Sequence, residues 1–478
     1  MSESALLTVG TGFYWLLLVL VTVRILTKRR HVAGTMSWLL LVLLLPAVGI
    51  LLYFLLGELS LGKKREQRAR EMVKPYLSSL SYLHDRVAPP KPGGEQALAI
   101  HQVLAKRLGV SALSYQHIQL LHTPKSIFDA WLQDIASAQT SIRMEFYIWF
   151  PGQRVDAIAE ALIAACTRGV SVELIIDHAG SRAFFRSAQC KAMQAAGIEI
   201  VPALPVKLWR FAFRRLDLRI HRKLIVIDDQ VAYTGSMNMA DPECFNKDAG
   251  FGQWIDIMLR FQGTAALGIS KVFAWDWEVE TGERRLPQYT EQVGVANEWL
   301  SIVPSGPGIG DDVIEQIVLS SIHRSNKKIV ICTPYFVPSE AVFESLCQAA
   351  KRDVQIDIIV PKHNNSWLVK WASYSYYQDL LQLGACIHNF DGGLLHTKAI
   401  LIDDELALVG SVNLDIRSLQ LNFELSVALF SQHSCEMIGA LLESYLEDSE
   451  PVRLSQWIQR PRRAKVLERV MYFLSPIL

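Results

Sequence analysis

Apolar residues are distributed so that the first sixty positions differ sharply from the rest of the chain. Residues 5–23 form an uncharged run of 19, and residues 32–57 a second of 26. Both exceed the ~18 consecutive apolar residues that mark a membrane-spanning helix, which predicts spans at about 5–26 and 35–57. The chain starts Met1-Ser-Glu3-Ser, without a basic leader, and a second apolar run follows at once. The pair therefore reads as a transmembrane hairpin over residues 1–60 and not as a cleavable signal. Residues 61–110 read as a basic, helical connector followed by the Pro/Gly-rich linker around Pro89, Pro90, Pro92, Gly93 and Gly94.

From residue 111 onward, apolar runs of strand length alternate with helical stretches. Residues 142–149, 172–176, 223–227 and 255–260 read as strands, and 155–167 as a helix. Residues 328–335, 356–360, 399–402 and 424–429 repeat the strands, with a helix at 341–350. Such alternation predicts an α/β fold: two pseudo-symmetric α/β sandwich lobes at 111–295 and 296–450. Residues 451–478 form a basic amphipathic tail, with Arg460, Arg462, Arg463, Lys465 and Arg469 set among Trp457, Met471 and Phe473.

Charge refines this outline. Lys28, Arg29 and Arg30 lie between the spans, whereas Lys63, Lys64, Arg65, Arg68, Arg70 and Lys74 follow the second. That asymmetry favours cytoplasmic lobes. The 48 Lys/Arg nearly balance the 47 Asp/Glu, for a net charge of +1, which argues against bulk nucleic-acid binding. The seven cysteines are scattered, with no C-x-x-C, so they suit reduced thiols and not a disulfide framework or a zinc site.

The chemistry lies in a string that occurs twice. His221-Arg-Lys223, with Asp228 and then Gly235-Ser236-Met-Asn238, returns as His396-Thr-Lys398, with Asp403 and then Gly410-Ser411-Val-Asn413. Every position recurs 175 residues later, 396 against 221 and 413 against 238. On a strand, residues i and i+2 share a face, so each histidine points with its lysine. A phosphodiester reaction needs charge neutralisation, a nucleophile and a proton for the leaving alkoxide. Lys223 and Lys398 supply positive charge. Asn238 and Asn413, with Ser236 and Ser411, are placed to bind phosphoryl oxygens in the turns. If the lobes face each other, one histidine attacks phosphorus while the other protonates the leaving oxygen. An ordinary imidazole pKa near ~6.5 suits both tasks. Asp228 and Asp403 sit an odd step from their lysines, off the phosphate-facing side, where a supporting salt bridge is expected. A lysine beside each histidine repels a cation and H-E-x-x-H is absent, so neither metal nor cofactor is expected.

Paired signatures of this type resemble those of the phospholipase D superfamily, over residues 111–450. The resemblance implies a carboxylate about 28 residues after the histidine to fix its tautomer, which is Glu424 for His396. The matching strand of the first lobe offers Asp256 for His221, with Asp248 as the alternative. The whole chain is similar to bacterial cardiolipin synthases of the two-signature kind. It shares their N-terminal hairpin and basic connector, the segments Phe146-Tyr147-Ile148-Trp149 and Thr333-Pro334-Tyr335-Phe336-Val337-Pro338, and the ending Phe473-Leu-Ser475-Pro476. The resemblance implies residence in the bacterial inner membrane and a reaction between two phosphatidylglycerols that gives cardiolipin and glycerol through a phosphatidyl-histidine. A phospholipase D using water, or a phosphatidyltransferase with another alcohol or donor, is the alternative. The partners implied are phosphatidylglycerol and anionic membrane lipids, not nucleic acid. The basic-aromatic stretch at 207–219 reads as a contact with anionic lipid. The cluster Trp367, Trp371, Tyr374, Tyr376 and Tyr377 reads equally as a second such patch or as packing within the lobe.

Overall fold

The runs read as strands are mostly apolar, without a strict alternation of apolar and polar residues, which suits strands covered by helices on both faces. In a computed structural model of the protein, residues 3–28, 32–57, 62–86, 94–108, 112–205, 217–287, 298–308 and 312–474 are described. The first lobe contributes β1 (Leu113–Leu121), β2 (Ser141–Phe146), β3 (Ser171–Asp177), β4 (Glu199–Ala203), β5 (Leu224–Ile227), β6 (Val231–Gly235), β7 (Trp254–Ile255) and β8 (Met258–Gln262). The second contributes β9 (Glu298–Ser305), β10 (Lys328–Cys332), β11 (Gln355–Pro361), β12 (Cys386–Phe390), β13 (Leu394–Leu395), β14 (Ala399–Ile402), β15 (Leu406–Gly410), β16 (Glu424–Leu429) and β17 (Ser449–Pro451).

Among the described residues fifteen of these strands form one sheet, in the order β17-β12-β11-β10-β14-β15-β16-β9-β1-β8-β6-β5-β2-β3-β4. Read outward from the β9–β1 junction, the two halves repeat each other strand for strand, with β17 added at one edge. At the junction Leu113 pairs with Leu300 and Tyr115 with Glu298, antiparallel. The two predicted lobes are thus halves of one sheet and belong to one compact unit, residues 67–205 and 219–478. Helix Thr264–Thr281, which is apolar around most of its circumference, is buried from Thr264 to Val279.

The glycine of each G-S-x-N is dictated by backbone proximity. A Cβ on Gly235 would strike the carbonyl of Ile257, and one on Gly410 the carbonyl of Leu425. The aspartate of each signature opens the hairpin turn after β5 or β14. Asp228 and Asp229 have φ of 53° and 56°, as do Asp403 and Asp404. Aspartate tolerates this left-handed region better than most residues.

The basic connector is the helix Lys63–Arg86, and a second helix, Gly94–Leu108, for which the sequence reading gave no element, buries Ala97, Ile100 and Leu104. One expectation needs correction. The second predicted span is broken at Leu45, where helix Val32–Leu44 ends and Pro46 starts helix Pro46–Leu52, followed by a π-helical turn at Tyr53–Gly57. The first predicted span falls in the helix Glu3–Thr27. Among the described residues no helix is long and apolar enough to cross a membrane. In this N-terminal unit Leu18, Val21, Ile25, Val42 and Tyr53 form a small core, while Trp15, Leu16, Leu20, Leu40 and Leu44 stand outward. Of the stretch at 207–219, residues 207–216 lie outside the described residues.

Candidate active site

Each histidine is held by the opposite lobe. Ile220 bridges Phe423 in parallel, His221 N–H donates to the Phe423 carbonyl at 2.9 Å, and Phe423 N–H returns to Arg219 O at 3.0 Å. In the mirrored arrangement β13 pairs in parallel with β7, and His396 N–H donates to Ile255 O at 2.9 Å. The residue after each of these contacts carries the carboxylate. His221 Nδ1 therefore lies 2.9 Å from Glu424, and His396 Nδ1 lies 2.7 Å from Asp256. The sequence assigned Glu424 to His396 and Asp256 to His221, and that assignment is corrected here: the carboxylates are exchanged between lobes. Asp248 is not a partner of either imidazole. Both histidines precede their strands proper, in the segments that cross between the halves.

The serines of the signatures also differ from expectation. Ser411 Oγ donates to Glu424 at 2.5 Å and accepts from Leu425 N–H, and the fully buried Ser236 bonds Ile257 N–H and helps hold Asp256 ionised. They bond to the carboxylates or the strand that carries them, and neither is among the residues that line the cavity. Among the described residues Asp228 and Asp403 make no salt bridge either. Asp228 accepts the backbone N–H groups of Gln139, Thr140 and Ser141, and Asp403 those of Asn326, Lys327 and Lys328. Each caps the start of the neighbouring strand, satisfying donors that the sheet leaves unpaired.

The two halves meet around a cavity of about 450 Å³ lined by His221, His396, Asn238 and Asn413. Asn238 Oδ1 accepts Ile148 N–H at 3.2 Å, which leaves its NH2 to donate. Asn413 donates to Ser418 Oγ at 3.2 Å, and its buried Oδ1 has no partner. Lys223 and Lys398 are buried behind the histidines, each donating to the carbonyl of its own signature histidine, at 2.5 and 2.6 Å. An aromatic ring steadies each imidazole, Tyr147 for His221 at 5.1 Å between centroids and Trp254 for His396 at 4.3 Å.

Burial governs the electrostatics. It lowers His221 to about 4 and His396 to about 3, more than the adjacent carboxylates can offset. It also lowers Lys223 to about 8 and Lys398 to about 7. Burial opposes ionisation of Asp256 too, but His396, Lys398 and Ser236 outweigh it and hold the carboxyl at about 2; Glu424 is lowered in the same way by His221 and Lys223. At neutral pH the site thus pairs neutral imidazoles with carboxylates. Nδ1 must carry the proton that the carboxylate accepts, so Nε2 is left as the lone pair.

Sequence reasoning missed several residues of the cavity wall: Arg219, Arg417, Tyr335 and Asp415. Burial raises Asp415 to about 6. Tyr147 and Tyr335 fall in the family segments already noted, which was the available signal for them. Arg417 lies four residues after Asn413, where no repeated string marks it. The fully buried Glu145, whose carboxylate oxygens have no hydrogen-bond partner, lies close enough to feel Arg222 and Lys223. Among the described residues the one His/Cys/Asp/Glu group with metal-ligand spacing is Asp357, Cys386 and His388, on β11 and β12 and outside the cavity wall.

Comparison with known proteins agrees with this architecture. The cardiolipin synthase, PLD-like domain family matches residues 131–250 and 318–446, and the phospholipase D-nuclease N-terminal family matches residues 16–58. Cardiolipin synthase A of Proteus mirabilis (strain HI4320) is 44% identical over 474 residues, covering 98% of this chain and 97% of that protein. The enzyme of the same name from Cronobacter sakazakii (strain ATCC BAA-894) is 44% identical, with 97% of each chain covered. Among solved structures, the phosphatidylserine synthase of Haemophilus influenzae Rd KW20 superposes with a TM-score of 0.59 at 14% identity, over 80% of this chain and all of that one, a likeness of fold alone. Two signatures in one sheet, joined by exchanged carboxylates, and 44% identity to these relatives over nearly their full length place the chain in the cardiolipin synthase family of the phospholipase D superfamily.

Proposed function

We propose that the protein joins two phosphatidylglycerol molecules into cardiolipin and glycerol. The observation that supports this reading is the pair of histidines lining one cavity, each with Nδ1 tied to a carboxylate and Nε2 left free to act. One Nε2 attacks the phosphorus of the donor. The P–O bond to the terminal glycerol breaks, and the opposite imidazole, protonated once the phosphate anion is bound, gives its proton to the leaving alkoxide. The phosphatidyl-histidine formed is then attacked by the terminal hydroxyl of a second phosphatidylglycerol. Its proton passes to the imidazole that served as acid, and the first histidine is released. Glu424 and Asp256 stabilise the imidazolium that forms in each step. Lys223 and Lys398 offset the phosphoryl charge from behind the histidines, and Asn238 and Asn413 bind its oxygens.

The outward apolar side chains of the N-terminal unit, Trp15, Leu16, Leu20, Leu40 and Leu44 among them, support an anchor in lipid, where such a surface costs nothing. We place that anchor in the bacterial inner membrane with the lobes on the cytoplasmic side. Labelled phosphatidylglycerol supplied to the purified full chain tests the reading. Cardiolipin and glycerol in equal amounts are expected. Phosphatidic acid without cardiolipin would identify a hydrolase, and no product would overturn the proposal.

A further inference from the structure

Besides the N-terminal unit, the large apolar side chains exposed among the described residues are Leu98, Trp367, Leu368, Ile458, Val466, Val470 and Tyr472. Six of these seven fall on three neighbouring helices, Trp367–Gln382, Leu454–Ile458 and Arg462–Leu474. Apolar residues clustered in this way on a surface signal an interface. We propose that these helices form a second lipid contact, which seats the rim of the cavity on an anionic bilayer; the inference rests on the lipid reading of the site.

The helices are welded together from within. Tyr374 and Tyr377 each lie 5.0 Å from Trp457, and Tyr376 lies 5.7 Å from Tyr472. Arg460 stacks 3.2 Å over the Trp457 ring and pairs with Glu468 at 2.6 Å. What remains outside is a mixture of charge and apolar surface. At 3.6 residues per turn, Arg462, Arg463, Val466, Arg469 and Val470 fall within about a third of the helix circumference, and all five are exposed. Glu468, the acidic residue of this helix, is turned inward. Guanidinium groups interleaved with exposed valines gain little from water, but phosphate headgroups and the acyl boundary of a bilayer satisfy both.

Continuity with the cavity sets the direction. Ser366, which caps helix Trp367–Gln382, and Val369 in its first turn both line the cavity. Trp367, 56% exposed, and Leu368 stand between them on the outside. The lipid surface therefore begins at the cavity rim, so that a phosphatidylglycerol headgroup reaches the histidines while its acyl chains stay in the bilayer.

The test uses the full chain in nanodiscs made with phosphatidylglycerol whose acyl chains are brominated. Subtracting the emission of Trp367→Phe from that of the wild type isolates Trp367. Bromine near the headgroup end of the chains is expected to quench that difference, less so at high salt. A Trp367 signal untouched by bromine overturns the surface. In a second measurement Val466→Ser with Val470→Ser, both at exposed positions, is expected to raise KM on bilayers by roughly fivefold relative to KM on monomerically dispersed short-chain phosphatidylglycerol. An unchanged ratio overturns the proposal. So does a dimer in detergent that the double variant dissociates while Trp367 stays unquenched, because the face would then belong to a second copy. A chain that makes no cardiolipin from either substrate but still shows the quenching would overturn the function and leave the surface standing.

Discussion

The exchange of carboxylates makes a prediction that no lobe-by-lobe reading shares: Glu424→Gln disturbs His221, and Asp256→Asn disturbs His396. Glutamine keeps the shape of the 2.9 Å contact but removes the charge. It also places an amide where the Ser411 hydroxyl and Asn422 Nδ2 both donate to the carboxylate. A hydrogen bond to an ionised acceptor is roughly twice as strong as a neutral one, and a leftover buried donor adds ~1–3 kcal/mol. The imidazolium of His221 should therefore lose about 2–4 kcal/mol of support, a fall in kcat of roughly 30- to 1,000-fold. KM should change little, since neither Glu424 nor Asp256 lines the cavity. The deciding assay is 15N spectroscopy of histidine-labelled full chain, with His221 and His396 identified by their glutamine variants. In Glu424→Gln the His221 nitrogens should leave the Nδ1–H tautomer pattern while those of His396 hold still, and Asp256→Asn should do the reverse. If Glu424→Gln shifts His396 and spares His221, the crossing described here is wrong.

Other predictions follow from the same site. His221→Ala and His396→Ala should each abolish turnover in a folded chain, since acid–base groups contribute ~10²–10⁴-fold; a single variant keeping more than about a tenth of the activity would refute the two-histidine scheme. Activity should survive excess EDTA, and loss reversed by one divalent ion would require a metal in the cavity. Burial lowers Lys398 to about 7 and Lys223 to about 8, so kcat/KM should decline as pH rises through that range and the phosphate loses its counter-charge. These lysines make the unfolded chain bind more protons than the folded one between about pH 7 and their ordinary value near ~10.5, so stability should rise with pH in that window. An alkaline decline accompanied by unfolding, or no decline up to pH 10, would each contradict this.

The fold and the signatures were legible because both are local. The α/β alternation follows from apolar runs, and the two G-S-x-N turns from glycines pressed against a neighbouring strand. The constant spacing of 175 announced the duplication, and the structure repeats it strand by strand. The exchange of carboxylates was not legible, because it depends on two very short parallel contacts, Ile220 with Phe423 and β13 with β7. A one- or two-residue bridge between segments some 140 to 200 positions apart leaves no periodicity to read. The roles of Asp228 and Asp403 were misread for a related reason. Their alternation along the strand ends at a left-handed turn, which aims the carboxylate at backbone N–H groups of the next strand and not at a lysine. The break at Pro46 was legible in principle, since a proline inside an apolar run ends the preceding helix.

The crossed geometry also explains why both signatures must sit in one body. A lobe alone would present a histidine with no carboxylate, a carboxylate with no histidine, and a buried lysine missing one of the carboxylates that offset its charge. An isolated ionised group in such a site is costly, whereas a complete set of imidazole, carboxylate, serine and lysine satisfies every member. Each half thus lends the other the group that fixes its tautomer, and the continuous sheet through β9 and β1 holds the two loans in register. The duplication then does more than supply two histidines. It brings both to one cavity, each oriented by a strand that carries no part of its own signature. Substitutions at the β9–β1 junction that leave both signatures intact should consequently impair both imidazoles together. That outcome separates a single shared site from two independent half-sites.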